Sequence, residues 1–118
     1  MTVSKQQFPI SDLQRFTHRE ITNQILLILK HRLRSYREAP PFYSKATKVA
    51  RVEKLIATYT HAKQVSEKCL LIWIDRDYVE LINLFPAGTK WTKQKAKLEH
   101  ILSYATYRKK QLDDKGNL

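Results

Sequence analysis

Glycine occurs only twice in this 118-residue chain, at Gly88 and Gly116. That is too few for the turns of an all-β fold, or for the close backbone approach of a phosphate loop or dinucleotide-binding turn. Cys69 is the only cysteine, so no intrachain disulfide is possible, and a reducing, cytoplasmic setting is the expectation. The longest apolar runs are Ile25–Leu29 and Cys69–Ile74, far short of the roughly 20 residues a membrane span needs. The first ten residues hold no apolar core of the kind a secretory signal carries. Acidic side chains are scarce as well, 11 against 22 Lys and Arg, for a net charge of +11.

Hydrophobic residues make up 42% and charged residues 28% of the chain, a globular balance rather than that of a disordered segment. Length predicts one domain, residues 1–118, with residues 112–118 as a polar, fraying tail. A short helix is expected from Asp12 to Phe16. Thr17-His18-Arg19-Glu20 has the spacing of a capping box, opening a long helix to about Arg37, unless the short helix and the long one are continuous. Ile21, Ile25, Ile28, Leu29, Leu33 and Tyr36 keep the 3–4 spacing of a buried stripe. The run Ile25–Leu29 predicts a segment buried on all sides.

Pro40-Pro41 stops that helix. Ser44 is placed to cap a second, from about Lys45 to Lys68, buried through Val49, Val52, Ile56 and Tyr59. A third runs from Cys69 to Phe85 on Leu70, Leu71, Trp73, Ile74, Tyr78, Leu81, Ile82 and Phe85. Residues 69–74 also fit a buried strand, but the chain offers no partner strand and few β-branched residues. Pro86-Ala87-Gly88 ends the third helix. Thr92 caps a last one to about Gln111, buried through Leu98, Ile101, Leu102 and Ala105. The expected fold is all-α: a compact bundle of four long helices plus a short N-terminal helix, with sequential neighbours antiparallel.

The charge is unevenly placed. Residues 30–54 hold eight basic and two acidic side chains, and residues 90–110 hold seven and one. The rest of the chain is near neutral. Like charges gathered this way repel, and solubility alone is served by interspersed signs, so a polyanionic partner is the expectation. The first block offers Lys30, Arg32, Arg34, Arg37, Lys45, Lys48, Arg51 and Lys54. The second offers Lys90, Lys93, Lys97, Tyr104 and Arg108. At about 100° per residue, Lys93, Lys97, His100, Tyr104, Tyr107 and Arg108 form one band beside the apolar stripe of the last helix. Cations interleaved with aromatics suit a phosphate backbone carrying stackable bases. Phe42 and Tyr43, next to the prolines, lid the core or stack a base. Phosphate contacts carry affinity without sequence information, and Gln94 is the only amide on the last helix before its end. Binding is therefore expected to be largely sequence-nonspecific.

Catalysis is not expected, nor is a metal or cofactor. His18, His31, His61 and His100 include no pair at metal-ligand spacing on one helix face. In Asp75-Arg76-Asp77 the two carboxylates diverge by about 200° on a helix; Glu80 lies three residues from Asp77, but solvated acidic side chains or ion pairs with Lys or Arg are the expectation. Cys69 lies beside Leu70 and Leu71, which suits a core thiol.

Three segments, LILKHRLRSYR, SKATKVARVEK and WTKQKAKLEHILSYATYRKK, are set against an otherwise neutral helical bundle. In size, plan and basic surfaces the chain resembles the small subunit of CRISPR effector (Cascade-like) complexes. The resemblance implies a non-catalytic ribonucleoprotein subunit in antiviral defence. Its basic faces would hold a target or displaced DNA or RNA strand along a guide RNA–DNA complex, and it would pack against other subunits and copies of itself. The near-neutral region 60–89 would then meet protein neighbours, with Trp73 and Tyr78 as anchors. Two other readings stay open. In one, Phe85-Pro86-Ala87-Gly88-Thr89 is the turn of a helix-turn-helix regulator and Trp91–Tyr107 its reading helix. In the other, the chain is an adaptor whose basic faces meet acidic proteins.

Overall fold

The computed structural model describes residues 16–85 and 91–116, with side chains through residue 114. The described residues form an all-α bundle without strands. Helix α1 spans His18–Glu38. Its capping box is closed in both directions: Glu20 N donates to Thr17 Oγ1 at 3.1 Å, and Thr17 N donates to Glu20 Oε1 at 2.9 Å. Ile21, Ile25, Ile28, Leu29 and Tyr36 are buried, and Leu33 is half-buried. The expectation that Ile25–Leu29 is enclosed on all sides fails, because Leu27 is 58% exposed. Two residues from both Ile25 and Leu29, it points about 200° away from each. The neighbours of α1 cover only its other sides.

Helix α2, Lys45–Thr60, follows the Pro-Pro stop. Ser44 occupies the N-cap position, but its side chain makes no cap bond, and its backbone sits at φ 68° in the left-handed region. A residue bearing a Cβ enters that region only at a cost. Val52, Leu55 and Tyr59 are buried, while Val49 and Ile56 pack half-buried at the edge of the core.

The boundary expected at Lys68 falls much earlier. The chain leaves α2 at Thr60, makes a 3₁₀ turn over Ala62–Gln64, and starts α3, Glu67–Arg76, on Ser66. Ser66 Oγ accepts from Cys69 N at 3.1 Å, a capping interaction that displaces the continuous helix. A tertiary contact fixes the turn: Ala62 is fully buried, and its carbonyl lies 2.7 Å from His18 Nε2. Residues 69–74 are helical.

The third pattern is likewise divided, into α3 and a short α4, Tyr78–Ile82, with Asp77 as the joint. The ladder continues through the joint: Asp77 N donates to Trp73 O at 2.9 Å, and Leu81 N to Asp77 O at 2.8 Å. The short helix of the bundle is thus α4. The one expected over Asp12–Phe16 lies outside the described residues apart from Phe16.

Helix α5 spans Thr92–Gly116. Thr92 is already helical rather than the cap, because Lys95 N reaches Trp91 O at 2.9 Å. The helix also runs past Gln111, through most of the expected tail. A Lys109–Asp113 pair at 2.9 Å spans one turn there, and Leu112 packs against the core. Leu98, Ile101, Leu102 and Ala105 are buried as their spacing predicts.

Both α2 and α5 run antiparallel to α1. At one end of α1, His18 meets Ala62 after α2 and Phe16 meets Tyr104 of α5; toward the other, Arg37 meets Glu53 and His31 meets Trp91. Helix α3 packs chiefly on α5. No helix among the described residues is long and apolar enough to cross a membrane.

Candidate nucleic-acid interface

The first basic block divides into cations used by the fold and cations left at the surface. The Arg32 guanidinium lies 4.3 Å from the Tyr36 ring centre and 5.7 Å from that of Phe85, and its Nη1 donates to Ser35 Oγ at 3.3 Å. It is half-buried, with Nε enclosed and lacking a hydrogen-bond partner. Lys45 Nζ donates to the carbonyls of Arg37 and Ala39, closing the last turn of α1 where carbonyls otherwise lack partners.

Arg37 bridges to Glu53 of α2 at 2.8 Å, and Arg34 pairs with Glu38 one turn on at 3.0 Å. All four of these side chains are largely exposed, where ion pairs are weak and readily exchanged for another anion. Lys30, Lys48, Arg51 and Lys54 are exposed too. Lys48 Nζ hovers 5.9 Å from both the Tyr36 and Phe42 rings.

Phe42 rests tilted on Tyr36 at 6.2 Å, whereas Tyr43 is 99% exposed. Tyr43 therefore does not lid the core.

The second block divides in the same way. Lys93 and Lys97 are exposed at the start of α5. Lys97 stands with Phe16, Glu20, Gln24 and His100 at a cleft of about 400 Å³ between α1 and α5. Tyr104 is 9% exposed and meets Phe16 edge-on at 5.7 Å. Arg108 is half-buried and pairs with Glu67 of α3 at 3.1 Å. The Tyr107 hydroxyl accepts from Gln111 Nε2 at 2.8 Å. Lys90 lies outside the described residues, as does the turn expected at Phe85-Pro86-Ala87-Gly88-Thr89, apart from Phe85, which is buried.

Tertiary structure brings the heads of the two blocks together. His31, one residue into the first block, meets Trp91, one residue into the second, edge to face at 5.2 Å. Lys30, Lys93 and Lys97 flank that contact along the chain.

The larger concavity, about 920 Å³, lies between α2 and the α3–α4 joint. Lys48, Arg51 and Lys54 line one side, and Arg76, Asp77 and Glu80 the other. Asp77 receives Arg76 Nε and Nη2, both at 2.9 Å, and the Tyr59 hydroxyl at 2.9 Å. Burial, then the neighbouring carboxylate, hold the Tyr59 phenol far above its ordinary ionisation range. Burial likewise pushes Tyr78 up, with Glu99 adding to it. Tyr78 is a core residue at 5% exposure, not a surface anchor, and Trp73 is half-buried against Tyr59.

The lining of this cleft includes Arg76 and Val79, which are not among the expected site residues. No local signal marks them, because α2 supplies the opposite wall. Among the described residues, no three His, Cys, Asp or Glu side chains group closely enough to hold a metal ion. No protein-family model, no curated protein and no solved structure matches the chain.

Proposed function

We propose that this chain is a non-catalytic, largely sequence-nonspecific nucleic-acid-binding subunit of a ribonucleoprotein, of the kind the CRISPR effector small subunit represents. The observation that carries the reading is the His31–Trp91 contact. It brings the heads of two cationic blocks, far apart in sequence, onto adjoining helices. Chance solvated runs have no reason to meet, and their meeting costs repulsion that a phosphate backbone relieves. Lys30, Arg34, Lys93 and Lys97 are the exposed cations best placed for such contacts, and Tyr43 is an exposed aromatic within the first block. The scarcity of amides on α5 favours backbone contact over base reading.

Binding of labelled single- and double-stranded DNA and RNA, measured from low to physiological salt, tests the reading. Four phosphate contacts on a single strand give a log–log salt slope of about −3. Affinity that is absent, or flat with salt, overturns it. Purification of the native complex decides the subunit assignment: a guide RNA and further protein subunits are expected to accompany the chain.

A further inference from the structure

The groove between α2 and α4 has a chemistry that phosphate binding does not use. Its floor is apolar, formed by the edges of Val52, Leu55 and Leu84. Beside them stands Val79, 67% exposed, among the most exposed large apolar side chains described. The two walls differ in sign. On α2, Lys48, Arg51 and Lys54 step by three residues along one side, all exposed. On the opposite wall Arg76 is spent on Asp77 through two 2.9 Å hydrogen bonds, which leaves Glu80 to set the sign there.

A nucleic acid is anionic all round. Lying in this groove it would set phosphates against Glu80 and would have nothing aliphatic to lay on Val79. An amphipathic helix with one acidic flank fits both requirements. Its apolar stripe covers Val79 and the floor, its Asp or Glu residues face Lys48, Arg51 and Lys54, and no acid needs to face Glu80. Residues 48 to 58 of α2 give a wall of about 15 Å, the length of roughly three helical turns.

We infer that this groove is a docking site for a short acidic amphipathic helix of a partner protein. Anchors at i, i+3/i+4 and i+7 supply the affinity, and the α2 cations set its orientation. The site goes beyond the nucleic-acid reading and stands without it.

The probe is a fluorescein-labelled peptide of about 15 residues, roughly four turns. Leucines line one face, glutamates line one flank, and a scrambled isomer serves as control. The full chain is expected to bind the amphipathic peptide at least about tenfold more tightly than the isomer. Val79→Asp lies on an exposed position and is expected to keep the helical melting curve. It should weaken the peptide about tenfold while changing oligonucleotide affinity less than about twofold. Lys54→Glu is expected to weaken the same peptide and to bind better a version with lysines in place of the glutamates. Equal binding of the scrambled isomer, an unchanged affinity in Val79→Asp, or loss of oligonucleotide rather than peptide binding in that variant would each overturn the assignment. Failure of all oligonucleotide binding would leave it intact.

Discussion

The Tyr59 hydroxyl donates to Asp77 Oδ2 at 2.9 Å, tying the middle of the bundle to the joint between α3 and α4. Tyr59 is fully buried and Asp77 largely so, and Arg76 holds the same carboxylate from outside. A helix of 16 residues could have run straight through this region. It bends at the residue whose side chain is claimed from across the core.

Removing that hydroxyl leaves Asp77 short of a donor. Tyr59→Phe is expected to cost about 1.5–3 kcal/mol, the range for a hydrogen bond to a charged group, measured by denaturant unfolding. The pH dependence separates this bond from packing. Burial raises the folded phenol's pKa above its ordinary value of 10.0, so its contribution is complete below pH 10 and falls as pH rises beyond it. The gap between wild type and Tyr59→Phe should narrow above that pH, by up to about 1.4 kcal/mol per unit. A constant gap would assign the effect to packing alone.

At the N-terminus of α1, hydrogen bonds from Thr17, its backbone first, hold Glu20 below its ordinary 4.5. A depressed carboxyl stabilises above its unfolded pKa, and that contribution is lost as pH falls below about 4.5 through the folded value. Thr17→Ala is expected to cost about 1 kcal/mol at neutral pH. Glu20→Gln should keep the cap and flatten this part of the acid unfolding curve, read by circular dichroism.

Charge reversal at Arg34 and Arg37 tests the first basic block. Both are exposed and their pairs with Glu38 and Glu53 are surface bridges, worth about 0–1 kcal/mol. The double Glu variant should therefore stay folded. It should bind oligonucleotides more weakly and lose about one unit of salt slope for each phosphate contact removed. Unchanged affinity removes this corner from the interface.

Arg108 is expected to behave differently. Its guanidinium joins α5 to Glu67 in the first turn of α3. Arg108→Gln should lower the melting temperature by a few degrees, as a loss of about 1 kcal/mol does in a domain of this size. Its effect on oligonucleotide affinity should be smaller than that of Lys93→Glu or Lys97→Glu.

Ser44 holds φ 68° without the return of a side-chain cap. Ser44→Gly removes the Cβ clash at a position where glycine is at ease, and is expected to stabilise by about 0.5–1 kcal/mol. Ser44→Val should destabilise. Both follow from thermal or denaturant melts.

The stripe of Ile21, Ile25, Ile28 and Leu29, the Thr17–Glu20 box and the Pro40-Pro41 stop were all legible in the sequence. Each signal acts between residues within one turn of one another. Leu27 misled for the opposite reason: an apolar residue states what it would gain from burial, not whether a neighbour arrives to bury it. The break after Thr60 carried a local sign in Ser66, whose hydroxyl caps α3, but the contact of His18 with Ala62 that fixes the turn joins residues far apart in the chain.

Of the basic residues, the sequence could state number and blocks. It could not say that Lys45 would close α1, that Arg32 would lie on Tyr36, or that Tyr43 would stand clear.

By itself, then, the sequence determined an all-helical chain, the stripes that enter its core and the two runs of positive charge. Periodicity, caps and composition are local quantities. Tertiary structure decided where the helices break, which cations remain at the surface, that the two basic blocks meet at His31 and Trp91, and that α2 and α4 enclose a groove with an apolar floor. These outcomes rest on contacts such as Tyr59 to Asp77, 18 residues apart, Arg108 to Glu67, 41 apart, and His18 to Ala62, 44 apart. Such contacts exist only once burial has packed the helices together, so no pattern within a single helix could announce them.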